Sequence, residues 1–198
     1  MRARKFYRPW AAVALLAIAC AAATVAWQSA ARWPKRFAPV VEGQLYRSGA
    51  VSPQQLERLQ RAYGIRRVLC LLNSNAPETE AERGVAERLG IEWHNVPLPG
   101  DGASTPEDRR QILALLSDTN GGPTLVHCAA GTNRTGLAVG LYRLRCQGWS
   151  LSQVMEELRE FGFEDEPHHG NLREALTIEA AAVQALRSPT TAPVATSP

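Results

Sequence analysis

A buried strand running straight into a glycine-bearing loop and then a helix constrains this chain more than any other feature. Pro123-Thr124-Leu125-Val126-His127 reads as a strand covered on both faces, Cys128 to Asn133 as a tight loop, and Arg134-Thr135-Gly136 as a helix start. Such a junction aims several backbone N–H groups at one point, with the positive end of the helix dipole behind them. It is therefore a seat for a dianion such as phosphate.

The rest of the chain supplies the sheet and helices that a buried strand needs. Phe37 to Val41 and Gln44 to Arg47 read as short strands around Glu42-Gly43, and Ser52-Pro53-Gln54-Gln55 as a capped helix start that Gly64 closes. Arg67 to Leu72 and Ile91 to Val96 read as further strands. Pro77 to Leu89, Thr105 to Leu116, Arg134 to Gln147, Ser150 to Phe161 and Asn171 to Leu186 read as helices. Strand alternating with helix predicts an α/β fold: a central, mostly parallel sheet flanked by helices.

The loop's chemistry follows from its residue types. Gly131 lets the backbone curl without a side chain in the way. Ala129, Ala130, Gly131, Thr132 and Asn133 offer amides to a phosphate, and Arg134 offers a planar two-pronged grip. The same field lowers the pKa of Cys128, and a thiolate beside a bound phosphate can attack phosphorus in line. Thr135 can donate its hydroxyl to the departing sulfur, and His127 is expected to brace the loop rather than transfer a proton.

His127-Cys128, five residues, Arg134 and Thr135 resemble the motif of the cysteine-dependent protein tyrosine phosphatase superfamily, with Gly131 at the third intervening position. The resemblance runs from Leu45-Tyr46-Arg47-Ser48-Gly49 to about residue 162 and is greatest to the small dual-specificity-like bacterial branch. It implies a phosphomonoesterase that forms a cysteinyl-phosphate and acts on protein phosphotyrosine, with phosphoserine and phosphothreonine as further substrates. It also implies a general acid on a loop upstream of the nucleophile. Asp101, flanked by Gly100 and Gly102 after a strand, is the candidate; Asp108 and Asp118 are rivals at a helix start and end. No metal or cofactor is expected, since Arg134 and the loop amides supply the positive field.

Other residues have competing readings. Cys70 is either a small buried hydrophobe or a disulfide partner for Cys128, and Cys146 reads as buried helix. Arg47 is either an anion contact at the pocket mouth or a surface residue. His168-His169 and Glu164-Asp165-Glu166 read as solvated loop. The neutral Ala129, Ala130, Thr132 and Asn133 favour a single phosphate over a polyphosphorylated ring. The alternatives are a phosphatase of phosphoinositides or small phosphorylated metabolites, a membrane-tethered phosphate-binding pseudophosphatase, and a sulfurtransferase.

Arg2, Arg4, Lys5 and Arg8 precede a charge-free stretch from Trp10 to Trp27, about 27 Å long as a helix. A single N-terminal transmembrane helix is the leading expectation, with a cleaved signal or a lipidated Cys20 as alternatives. Arg32, Lys35 and Arg36 follow the stretch, so the charge bias leans only slightly toward an extracytoplasmic domain. The organisation expected is a basic segment and membrane anchor (1–31), a phosphatase domain (32–187) and a disordered tail (188–198). A net charge of +3 is too small to argue for nucleic acid, and nothing in the sequence specifies an oligomeric state.

Overall fold

The computed structural model describes residues 13–18, 20, 33–166 and 169–187. The chain divides into two compact units, Met1–Trp33 and Pro34–Pro198. The second carries the α/β fold. Its elements are β1 (Ala38–Val41), β2 (Leu45–Ser48), α1 (Pro53–Tyr63), β3 (Arg67–Cys70), α2 (Pro77–Leu89), β4 (Glu92–Asn95), α3 (Pro106–Ser117), β5 (Thr124–His127), α4 (Asn133–Cys146), α5 (Leu151–Glu160) and α6 (Gly170–Arg187).

Local chemistry sets the boundaries. Ser52, Thr105 and Ser150 each close a reciprocal capping box with the residue three places on, and α1 ends on Gly64 with φ 66°, a left-handed conformation that glycine adopts without strain. The five strands lie in the order β1-β2-β5-β3-β4, with only β1–β2 antiparallel. β5 is central and wholly buried, which explains its nearly continuous apolar run. Alternate residues serve opposite faces, so neighbours such as Leu125 and Val126 are both fully buried. α1 packs on α2, while α3, α5 and α6 pack on α4, which lies against β2 and β5.

This topology positions the site. β2, β3 and β5 run parallel and in register, with Ser48 and Cys70 both opposite His127. Their carboxyl ends therefore open at one edge of the sheet, the usual place for a ligand in an α/β fold.

The membrane anchor is a correction. Among the described residues no helix is long and apolar enough to cross a membrane. Of the Trp10–Trp27 stretch, residues 13–18 and 20 are described, as helix, and the rest of the expected span lies outside the described residues. With no such helix among the described residues, neither the single-pass anchor nor the extracytoplasmic placement read from its flanking charges is supported. The tail 188–198 and His168 lie outside the described residues.

Candidate active site

Cys128 sits at the floor of a cup of about 100 Å³ lined by Gly100, Ala129, Ala130, Thr132, Asn133 and Arg134. The sulfur accepts a hydrogen bond from the Gly131 N–H at 3.3 Å, and Cys128 is 2% exposed. Burial alone pushes the thiol pKa up. Hydrogen bonds from the Thr135 hydroxyl and from the Thr135 and Gly131 amides, with the charge of Arg134, outweigh it and hold the thiol below its usual value. The Thr135 hydroxyl also reaches the Ser48 carbonyl at 3.3 Å, so its single proton serves sulfur or carbonyl.

The loop's amides face the cup because its carbonyls are tied from outside. Ala129 O accepts from the Ala50 N–H (3.0 Å), Ala130 O from the Arg36 guanidinium (2.9 Å) and Gly131 O from the Arg47 guanidinium (3.0 Å). Gly131 is required for two reasons. Its φ is 78°, and a Cβ there would stand 2.7 Å from Gly49 N. Gly49 allows the same close approach from the other side, since its own Cβ would lie 2.9 Å from Ala129 O.

Arg134 is half-buried and donates to the Leu71 and Leu98 carbonyls at 3.4 and 3.3 Å, which holds the guanidinium at the cup wall. His127 is fully buried. Its Nε2 donates to Glu82 Oε1 at 2.9 Å, and that oxygen also accepts the Trp93 indole N–H at 2.9 Å. Burial disfavours the imidazolium, but hydrogen bonds to Cys70 and Glu82 outweigh it and raise the pKa to about 10.

Asp101 does not line the cup. Its carboxylate accepts from the Ala103 N–H at 3.0 Å and from the Asn171 amide of α6 at 2.6 Å. Chiefly the Ala103 bond, and then Asn171, hold its pKa below the usual carboxylate range against partial burial. The neighbouring Gly100 carbonyl accepts from Asn133 of the loop at 3.3 Å, so the Asp101 turn and the Cys128 loop touch. Of the rivals, Asp108 is the reciprocal cap of α3, and Asp118 is bound to Arg67 at 2.8 Å.

Several expectations change. Arg47 is neither a pocket-mouth contact nor a surface residue. It is completely buried under the loop, with its guanidinium 3.7 Å from the Phe161 ring centroid, and burial pushes its pKa down to about 10. Cys146 is exposed, and Cys128 and Cys70 are both free thiols. Cys70 is buried beside His127 and Glu82, and the ligand-type atoms of these three lie within 4.8 Å of one another. His127, Glu82 and Trp93 already satisfy one another there, so the group reads as a hydrogen-bonded brace. Asp165 is paired with Arg173 rather than merely solvated. Arg36, Glu82 and Trp93 were not expected at the site. Their sole sequence signal is that Glu82 and Trp93 could not be buried without a partner. A larger cavity of about 810 Å³, between Leu144, Trp149, Leu151 and Val183, lies away from this chemistry.

The chain belongs to the tyrosine phosphatase family, which it matches over residues 33–191. It is 35% identical over 134 residues to the inositol diphosphatase DSP1 of Oryza sativa subsp. japonica, covering 65% of this chain and 57% of that protein. It is 30% identical over 122 residues to the dual specificity protein phosphatase TpbA of Pseudomonas aeruginosa, covering 62% and 53%. The chain thus spans just over half the length of these curated relatives. Among solved structures, the core catalytic domain of the PP-IP phosphatase SIW14 from S. cerevisiae, in complex with citrate, superposes with a TM-score of 0.62 at 25% identity, over 79% of this chain and 96% of that one.

Proposed function

We propose that this chain hydrolyses phosphomonoesters through a cysteinyl-phosphate on Cys128, with phosphotyrosine in proteins as substrate and phosphoserine or phosphothreonine as slower ones. One observation carries the reading: a buried thiol accepting the Gly131 N–H at the floor of a cup whose loop carbonyls are tied from outside. The phosphate oxygens would take the loop amides of residues 129–133 and the Arg134 guanidinium. The Cys128 thiolate attacks phosphorus, and the P–S bond forms as the ester P–O bond breaks. Asp101, protonated, exchanges Asn171 for the leaving oxygen by turning about Gly100 and Gly102, and gives up its proton there. Water then attacks phosphorus, Asp101 takes a proton from it, and sulfur departs as a thiolate steadied by the Thr135 hydroxyl.

The neutral side chains of Ala129, Ala130, Thr132 and Asn133 support a singly phosphorylated group over a polyphosphorylated ring. The 35% identity to an inositol diphosphatase favours a second reading, hydrolysis of an inositol diphosphate. A panel of a tyrosine phosphopeptide, serine and threonine phosphopeptides, a phosphoinositide and an inositol pyrophosphate separates the two. The phosphotyrosine peptide should give the highest kcat/KM; faster phosphate release from the inositol compound overturns the substrate assignment. Cys128→Ser should lower para-nitrophenyl phosphate turnover by more than about a thousandfold. Undiminished turnover in that variant would remove the covalent mechanism altogether.

A further inference from the structure

Arg36 is the sole non-glycine residue with positive φ (54°) among the described residues. Arginine has no local reason to adopt this left-handed conformation, so the surroundings must hold it there. They do so on both sides. The Lys35 carbonyl accepts from the Gly49 N–H at 2.7 Å, and the Phe37 ring packs on Tyr46 and Tyr63 at 5.7 and 4.9 Å between centroids. The guanidinium then passes close over Gly162, where a Cβ would come within 3.0 Å of it, and reaches Ala130 O across 94 positions of sequence.

The Ala130 carbonyl and the Gly131 N–H belong to one planar trans peptide, so they point in opposite directions. Fixing the carbonyl outward fixes the N–H inward, and that N–H is the donor to Cys128 Sγ at 3.3 Å. We propose that Arg36 is a positioning residue: it pins the Ala130–Gly131 peptide plane from outside so that its amide is aimed at the nucleophilic sulfur and the bound phosphate. The proposal rests on Cys128 being the nucleophile.

Arg36→Gly tests it, because glycine relieves the backbone strain while deleting the guanidinium. On the full chain, three quantities are measured for wild type, Arg36→Gly and Arg36→Lys. They are the thermal unfolding midpoint, the pH profile of Cys128 alkylation by iodoacetamide followed by mass spectrometry of its peptide, and kcat/KM on para-nitrophenyl phosphate. Arg36→Gly should unfold no earlier than wild type, yet shift the alkylation midpoint to higher pH and lose about tenfold in kcat/KM. Arg36→Lys, which keeps a cationic donor, should recover part of both. A wild-type alkylation profile in Arg36→Gly, or an activity loss matched by a fall in unfolding midpoint, overturns the positioning role. A wild-type chain that turns over no phosphate ester would instead defeat the proposed function, and the alkylation profiles would still decide the role of Arg36.

Discussion

At residue 131 two independent restrictions coincide, a left-handed backbone and a contact with Ser48–Gly49 too close for a side chain. Gly131→Ala should cost about 1–2 kcal/mol for the backbone alone, and the clash forces the loop off Gly49 as well. A lower midpoint in chemical denaturation together with a loss of aryl phosphate turnover is the expected outcome; an alanine variant with wild-type values for both would show that the loop does not need this curl. That Cys128 and Arg134 would line one cup was legible in the sequence because their placement is local. A thiol, a glycine and a guanidinium within seven positions of a helix start can only meet around one anion seat. Arg47 was misjudged for the opposite reason. Its sequence neighbours suggest an exposed arginine, whereas its place opposite Val126 in the β2–β5 register carries it under the loop.

At the scale of elements, the turn bearing Asp101 is joined to the start of α6. The Asn171 amide holds the carboxylate, and Gly102 packs so tightly on Leu172 that a Cβ there would lie 3.1 Å from the leucine Cβ. The groups facing Asp101 are the Ala103 N–H, the Asn171 amide and, at longer range, His169; those favour the ionised form, while a general acid must be protonated to act. Asn171→Ala should therefore raise the Asp101 pKa and move the alkaline limb of the kcat–pH profile to higher pH. Asp101→Asn should lower kcat by about a hundredfold or more and remove that limb. If Asp101→Asn turns over aryl phosphate as fast as wild type at its pH optimum, the acid is another residue. Element boundaries were read well where capping chemistry marks them, as at Ser52, Thr105 and Ser150. The N-terminal anchor was an expectation from hydropathy and length alone, and no helix among the described residues is long and apolar enough to cross a membrane.

Across the whole molecule, α2 and β4 brace the central strand β5 through Glu82, Trp93 and His127. The His127 pKa is raised from 6.5 in the unfolded chain to about 10. Its contribution to stability is thus fully present below about pH 6.5 and is lost as pH rises toward 10. The unfolding midpoint of wild type should fall across that window, and Glu82→Gln, lacking the partner charge, should show a shallower fall. Parallel pH dependence in the two proteins would mean that Glu82 does not hold the imidazolium.

The sequence by itself determined the α/β alternation, the strand–loop–helix junction and the placing of Cys128 and Arg134 within it, because each depends on interactions among near neighbours. Only the tertiary structure decided what holds that junction in shape. Arg36, Arg47 and Glu82 lie 94, 84 and 45 positions from the groups they bind. Such pairings depend on strand order, register and helix docking, which become definite when the separate elements pack around one core.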